Sequence, residues 1–237
     1  MNTTKESSAG CREIVNGSSG AMWEAGYRMR ACSGNTAPVF NDAVAVRATR
    51  ASQSRPVDEY DQTAEIYVLY QAATPAATVR VNQARRGKID CEEHYPRAVA
   101  EFRNLVGSGS RFVRAANVPA NLAVMRQFIK AVWYDQYAAG MRVDVINVHR
   151  DMIPYYERIG YSLLCGSFFR HPRLGSPSYV MFMLATPTGS SLLRDVFAPS
   201  NLPSIQALRA AFPACRSRQC GYRRTATRHD CQEQQSG

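Results

Sequence analysis

The sequence predicts an α/β (α+β) fold in which a mixed β-sheet is flanked by helices. Three stretches carry that expectation: the strand texture of EIYVLYQ and ATVRV at 65–71 and 77–81, the helical period of 117–140, and the succession of strand, short helix and two strands from 142 to 185. Hydrophobic residues make up 45% of the 237 and charged residues 20%. Those globular proportions exclude a chain that is disordered throughout, because enough apolar surface can be buried to offset the entropy of ordering it.

In chain order, residues 1–20 are rich in Ser, Thr, Gly and Asn and read as a loosely ordered segment in which CREIVNG can supply a first strand. AMWEAGYRMRACSG at 21–34 spaces Met22, Tyr27 and Met29 loosely enough for a helix stopped by Gly34. EIYVLYQ and ATVRV alternate and are β-branched or aromatic, so they read as a hairpin turned at Thr74-Pro75. HYPRAVAEFRNLV at 94–106 fits a helix with Val99, Phe102 and Val106 on one face, followed by GSGS and the strand SRFVRAA.

Leu122, Met125, Phe128, Ile129, Val132, Trp133 and Tyr137 then keep a 3.6-residue period, with Pro119 in a first turn and Gly140 as the stop. RVDVINV is a strand, DMIPYYERIG a short helix, and YSLLCGSF and SYVMFMLA two further strands. LLRDVF and SIQALRAAF offer helical turns before a tail without period. The expected organisation is one domain over 21–212 and a basic tail over 213–237, which holds five arginines against Asp230 and Glu233.

The formal charge of +10 suits an acidic partner or a polyanion. A solubilising tail explains part of that charge equally well, and a nucleic-acid binder acting through the tail is a further alternative that salt-dependent binding would reveal. Seven scattered cysteines and an N-terminus without a charged-then-apolar leader favour a reducing cytoplasm. The longest apolar run, YVMFMLA, is far short of the roughly 20 residues that span a bilayer. Cys215, Cys220, His229 and Cys231 match zinc ligands in composition but not in spacing, so no metal is expected. Neither a Walker loop nor a dinucleotide glycine motif is present.

IPYYERIGY after a strand-like run resembles the closing signature of GNAT acyltransferases, carried here by Tyr156, Gly160 and Tyr161. D-x-Y-D (Asp58, Tyr60, Asp61), a strand with Arg80, and S-R-F (Ser110, Arg111, Phe112) follow in the order seen in the autoinducer synthase and N-acyl amino acid synthase branch of that superfamily. The resemblance spans about Gly26 to Ala185. It implies a GNAT-like splayed sheet whose cleft holds an acyl thioester on phosphopantetheine, borne by an acidic acyl carrier protein or by CoA, with no bound cofactor. A small amine acceptor enters from the other side.

On this resemblance Phe112, Val113 and Arg114 line the thioester arm, Arg30 and Arg80 belong to substrate binding, and Asp58, Asp61 and Arg111 form a charge network at the acceptor site. Tyr156 is the candidate to protonate the leaving thiolate, although an aromatic plug between helix and sheet is the alternative. An Asp-x-x-Asp loop can equally cap a turn, and strand arginines can face water.

One departure stands out. Ser108 occupies the place where the family commonly has Glu, and serine cannot replace a carboxylate as a base. The proton then falls to Glu101, Glu92 or one of the paired aspartates, or catalysis is weakened or lost. The functions that follow are N-acylation of an amino acid or related amine, acyl-homoserine lactone synthesis from S-adenosylmethionine, or a GNAT-like binding protein without activity.

Overall fold

The computed structural model describes residues 5–7, 10–14, 26–50, 55–119, 121–186 and 203–214. Nine strands form one sheet: β1 (Lys5–Ser7), β2 (Cys11–Ile14), β3 (Tyr27–Ser33), β4 (Glu65–Gln71), β5 (Thr74–Gln83), β6 (Val106–Arg114), β7 (Val143–His149), β8 (Ser162–Arg170) and β9 (Pro177–Leu184). Their order is β1-β2-β3-β4-β5-β6-β7-β9-β8. All neighbours are antiparallel except β6 and β7, which run parallel and pair only at Val106–Val143 and Gly107–Asp144. Beyond that point they diverge, and the split positions the site.

Helix α1 (Pro38–Ala48) covers one face of the sheet, packing Val39, Phe40 and Ala43 on Ile66, Val68 and Tyr70. Helices α3 (Leu122–Ala138) and α4 (Ile153–Ile159) cover the opposite face, where Phe128, Val132 and Trp133 meet Tyr67, Leu69, Val79 and Met181. Helix α2 (Ala98–Glu101) and helix α5 (Pro203–Ala211) pack against the outward side of β7 and β9 through Val99, Leu208 and Phe212. Central strands are buried on both sides, so β4 reads as an unbroken apolar run. Each fully buried Phe or Val of α3 contributes about 1.5–3 kcal/mol of burial energy. Among the described residues, no helix is long and apolar enough to cross a membrane.

The structure departs from expectation in several places. Tyr27–Ser33 is strand rather than helix: Tyr27, Met29 and Ala31 are buried while Arg28 and Arg30 point outward, a period of two that antiparallel pairing with β4 uses. The strand expected in CREIVNG is present as β2, whereas β1 forms in a segment expected to be loose, and Arg12 of β2 bonds Asp135 on α3 at 2.7 Å and Glu65 at 3.1 Å. The hairpin turns at Ala72 and Ala73, with Ala72 at φ 52°, and Pro75 already lies in β5 opposite Tyr70. The helix expected over 94–106 shortens to the four residues of α2, because Val106 is drawn into pairing with β7.

Helix α3 starts after Asn121, whose side chain accepts the Val124 N–H at 3.1 Å, and Pro119 lies outside it. Asn121→Ala is expected to lower stability by about 1 kcal/mol, read from the denaturant midpoint, because that N–H loses its partner. The SIQALRAAF turn is present as α5. LLRDVF and most of the basic tail lie outside the described residues.

Candidate active site

The Asp58–Asp61 loop is a 3-10 turn spanning Glu59–Gln62 and capped reciprocally: Asp58 accepts the Tyr60 N–H at 3.1 Å, and Asp61 accepts the Asp58 N–H at 3.0 Å. Capping leaves most lone pairs of both carboxylates available, and arginines from four different elements take them. Asp61, fully buried, receives Arg47 Nη1 at 3.0 and 3.1 Å and Arg80 Nη1 at 3.3 Å. Asp58 receives Arg80, Arg111 at 2.7 Å and Arg173 at 3.1 Å. Arg173 continues to Asp90, and the Tyr60 ring lies beneath the guanidinium groups of both Arg80 and Arg173, 5.6 and 5.1 Å from its centroid. The loop therefore both caps its own turn and ion-pairs with the surrounding arginines.

Burial alone would raise the Asp58 carboxyl, but Arg80 and Arg111 outweigh it and hold the group down at about 2. Arg111 is aimed by its backbone. The β5–β6 register shifts between Thr78 and Arg80, and Arg111 sits in that bulge at φ 54°, a left-handed conformation that costs a non-glycine residue about 1–2 kcal/mol. Arg80 Nε also donates to Ser110 Oγ at 3.0 Å, so the S-R-F segment and the D-x-Y-D loop meet through it.

A cavity of about 1720 Å³ opens at the β6–β7 split and reaches both faces of the sheet. Asp58, Arg80, Ser108, Ser110, Arg111 and Arg173 border its charged half. Met125, Ile129, Trp133, Met141, Ile146 and Met183 border its apolar half, against α3. The split follows from strand alternation: Ser108 and Ser110 share the face of Arg80, their register partners being Asn82 and Arg80, whereas Gly107 and Gly109 face α3.

Tyr156 lines the apolar half and stacks edge-on between Tyr155 and Tyr161, with burial pushing its hydroxyl up to about 12. Phe112 lines the cavity and is 43% exposed. Val113 and Arg114 do not line it: Val113 packs with Val46, Ala76 and Val118, and Arg114 bonds the carbonyls of Ala115 and Val118. Arg30 is also apart from it, lying over the Tyr70 ring on the edge side of β4, because strand alternation turns it outward. Phe128 is fully buried core, as its place in the helical period suggests.

The expected substitutes for the missing glutamate divide. Ser108 is buried and hydrogen-bonds Tyr95. Glu101 pairs with Arg97 on the surface, and Glu92 holds Arg103 and the Ile89 N–H, so neither faces the cavity. Four members of the site escaped the sequence reading: Arg173, on the segment after β8, and its partner Asp90, as well as Arg47 and Asp144. Arg47 lies in α1, whose small apolar residues showed no strong period. Asp144 sits in β7, where it accepts the Gly109 N–H at 2.7 Å and the Tyr161 hydroxyl.

Asp90, Cys91 and His171 bring their potential metal-ligating atoms within 4.8 Å of one another. His171 Nδ1, however, accepts the backbone N–H groups of Arg173 and Leu174 at 3.2 and 3.3 Å, so its hydrogen belongs on Nε2, facing Cys91 Sγ at 3.5 Å. Burial and Asp90 push the Cys91 thiol up to about 12. Both groups are thus protonated on the atoms a cation would need. The four residues of the zinc-like tail set lie outside the described residues.

The family model described as N-acyl amino acid synthase FeeM matches residues 41–183. The solved structure of FeeM, an N-acyl amino acid synthase from uncultured soil microbes, is similar with a TM-score of 0.56 and 14% identity, covering 71% of this chain and 96% of that one. The AHL synthase LasI is similar with a TM-score of 0.52 and 8% identity over 74% of this chain and 98% of its own. TofI in an apo form gives 0.51 and 16% identity over 71% and 98%. At such identities the structural likeness shows the fold, which is the GNAT-like layered arrangement the motifs implied. No curated protein sequence matches the chain.

Proposed function

The chain belongs to the N-acyl amino acid synthase FeeM family and is an acyltransferase; from that premise we propose that it moves a fatty acyl group from the phosphopantetheine thioester of an acyl carrier protein to the amine of an amino acid. The observation that carries this reading is the two-sided cavity at the β6–β7 split, apolar toward α3 and charged toward the Asp58–Arg111 cluster. A thioester in the gap has its acyl chain against Met125, Trp133 and Met183 and its carbonyl beside the unpaired stretch of β6, where backbone donors can meet a developing oxyanion.

The charged half supports an amino acid as acceptor. Its hydrogen-bonded cluster sets Arg47, Arg80, Arg111 and Arg173 against Asp58, Asp61 and Asp90, one cation in excess, which suits a substrate carboxylate. Arg126, Lys130 and Arg158 edge the cavity together with the exposed Leu122, Met152 and Tyr155, a composition fitted to an acidic carrier that also presents apolar contacts.

The test is a competition. The protein is given acyl carrier thioesters and acyl-CoA with mixed amino acids and S-adenosylmethionine, and products are weighed by mass spectrometry. An N-acyl amino acid drawn from the carrier pool is expected. An acyl-homoserine lactone would replace the acceptor assignment, turnover from CoA alone would replace the donor, and no adduct of any kind would overturn the reading.

A further inference from the structure

Where β6 and β7 part, the first polar group in the gap is a carboxyl. Asp144 belongs to the last register pair joining the two strands, and its side chain points to the α3 face with those of Ile146 and Val148. It is 3% exposed yet lines the cavity. Through its bond to the Gly109 N–H it stands in for the backbone acceptor that continued pairing would have supplied. A Cβ at position 109 would lie 3.1 Å from Asp144 Oδ2, so glycine there leaves the carboxyl room to enter the gap.

We propose that Asp144 accepts the proton shed by the attacking amine, a role that rests on the acyl transfer proposed above. The acids that the sequence offered for the role fit it poorly. Asp58 and Asp61 are occupied by guanidinium groups, Asp58 is held near 2, and Glu92 and Glu101 face away from the cavity. For Asp144, burial outweighs the bonds from Tyr161 and Gly109 and lifts the carboxyl to about 7, where a base both exists in ionised form at neutral pH and binds a proton usefully. Tyr161 at the start of β8 and Tyr156 on α4 are the titratable groups beside it, and β9 presents the apolar Met183. Arg126 and Lys130 of α3, Arg158 of α4, and Arg80 and Arg111 of the opposite face are among the cations that line the same cavity.

The step balances with groups already present. The amine nitrogen bonds to the thioester carbon, the C–S bond breaks with its electron pair on sulfur, the proton lost by nitrogen passes to Asp144, and the thiolate is protonated from Tyr156 or water. Asp144 then returns its proton to solvent, and Tyr156, where it was the donor, regains one from solvent.

The experiment measures kcat/KM against pH for wild type, Asp144→Asn and Tyr161→Phe, with carrier thioester and amino acid. Circular dichroism checks that each variant is folded. Wild type should rise with pH through an inflection near 7. Asp144→Asn should lose about 10²-fold or more at neutral pH and lose the inflection, with donor KM nearly unchanged. Tyr161→Phe removes a bond that favours the ionised carboxyl, so its inflection should move upward.

An Asp144→Asn protein that keeps the inflection, or loses less than about threefold, overturns the role. If that variant does not fold, Tyr161→Phe decides, and an unmoved inflection is the negative result. Wild type that makes no N-acyl product removes the proposed function and this role together, whereas an active wild type with an indifferent variant removes the role alone.

Discussion

Asp58→Asn is expected to lower kcat/KM for acyl transfer by about 10²- to 10³-fold while the protein remains folded. One carboxylate accepts from Arg80, Arg111 and Arg173, which arrive from β5, from the bulge of β6 and from the segment after β8. Asparagine offers one neutral acceptor oxygen, so two charge-assisted bonds become unfavourable and three guanidinium groups are left to repel one another. Arg111, already held in a left-handed backbone conformation, then loses its bond to Asp58. Steady-state kinetics with saturating donor would show the loss, and a variant within about threefold of wild type would place the cluster outside the mechanism.

The same carboxyl links the cluster to pH. Its folded value of about 2 lies below the ordinary 3.8, so its contribution is complete above about 4 and lost as pH falls toward 2. That difference corresponds to about 2 kcal/mol at neutral pH. An acid-unfolding midpoint should move to higher pH when Asp58 is replaced.

Asp61→Ala has the largest expected effect on stability. Arg47 and Asp61 are both fully buried, and Arg47 Nη1 would keep only the Pro56 carbonyl, at 2.9 Å. Removing one partner of a buried ion pair costs about 3–5 kcal/mol, because the remaining charge stays desolvated. For a chain of this size the melting temperature should fall by on the order of 10 °C. Among the described residues, Arg47 Nε and Nη2 have no hydrogen-bond partner, which adds to the cost of keeping that cation buried. The double variant Arg47→Met, Asp61→Leu should therefore recover much of the loss. A thermal melt in which Asp61→Ala matches wild type, or in which the double variant is worse than the single, would contradict the buried-pair account.

Particular residues show where sequence reading succeeded. The β4–β5 hairpin, α3, β7, α4 and the β8–β9 pair follow from local period and from Gly160, whose φ of 110° ends α4 as a glycine can. β3 was misread because a helix and a strand both accommodate its loosely spaced apolar residues, and only pairing with β4 selects a period of two. Asp144 was overlooked because a charged residue in VDVINV reads as the solvent side of a strand, whereas β7 is covered on both faces. Arg30, Val113 and Arg114 were assigned on the family resemblance, but alternation turns Arg30 outward, Val113 packs with Val46, Ala76 and Val118, and Arg114 bonds the Ala115 and Val118 carbonyls.

What the sequence determined by itself was the succession of elements and the identity of the charged loop and strand arginines, because period, turn chemistry and motif order are written in neighbouring residues. Which side chains share the cavity was decided only in three dimensions. A parallel pair that holds for two residues and then parts, a bulge that turns Arg111, and a glycine that admits Asp144 all depend on contacts between distant segments, and local spacing carries no record of them.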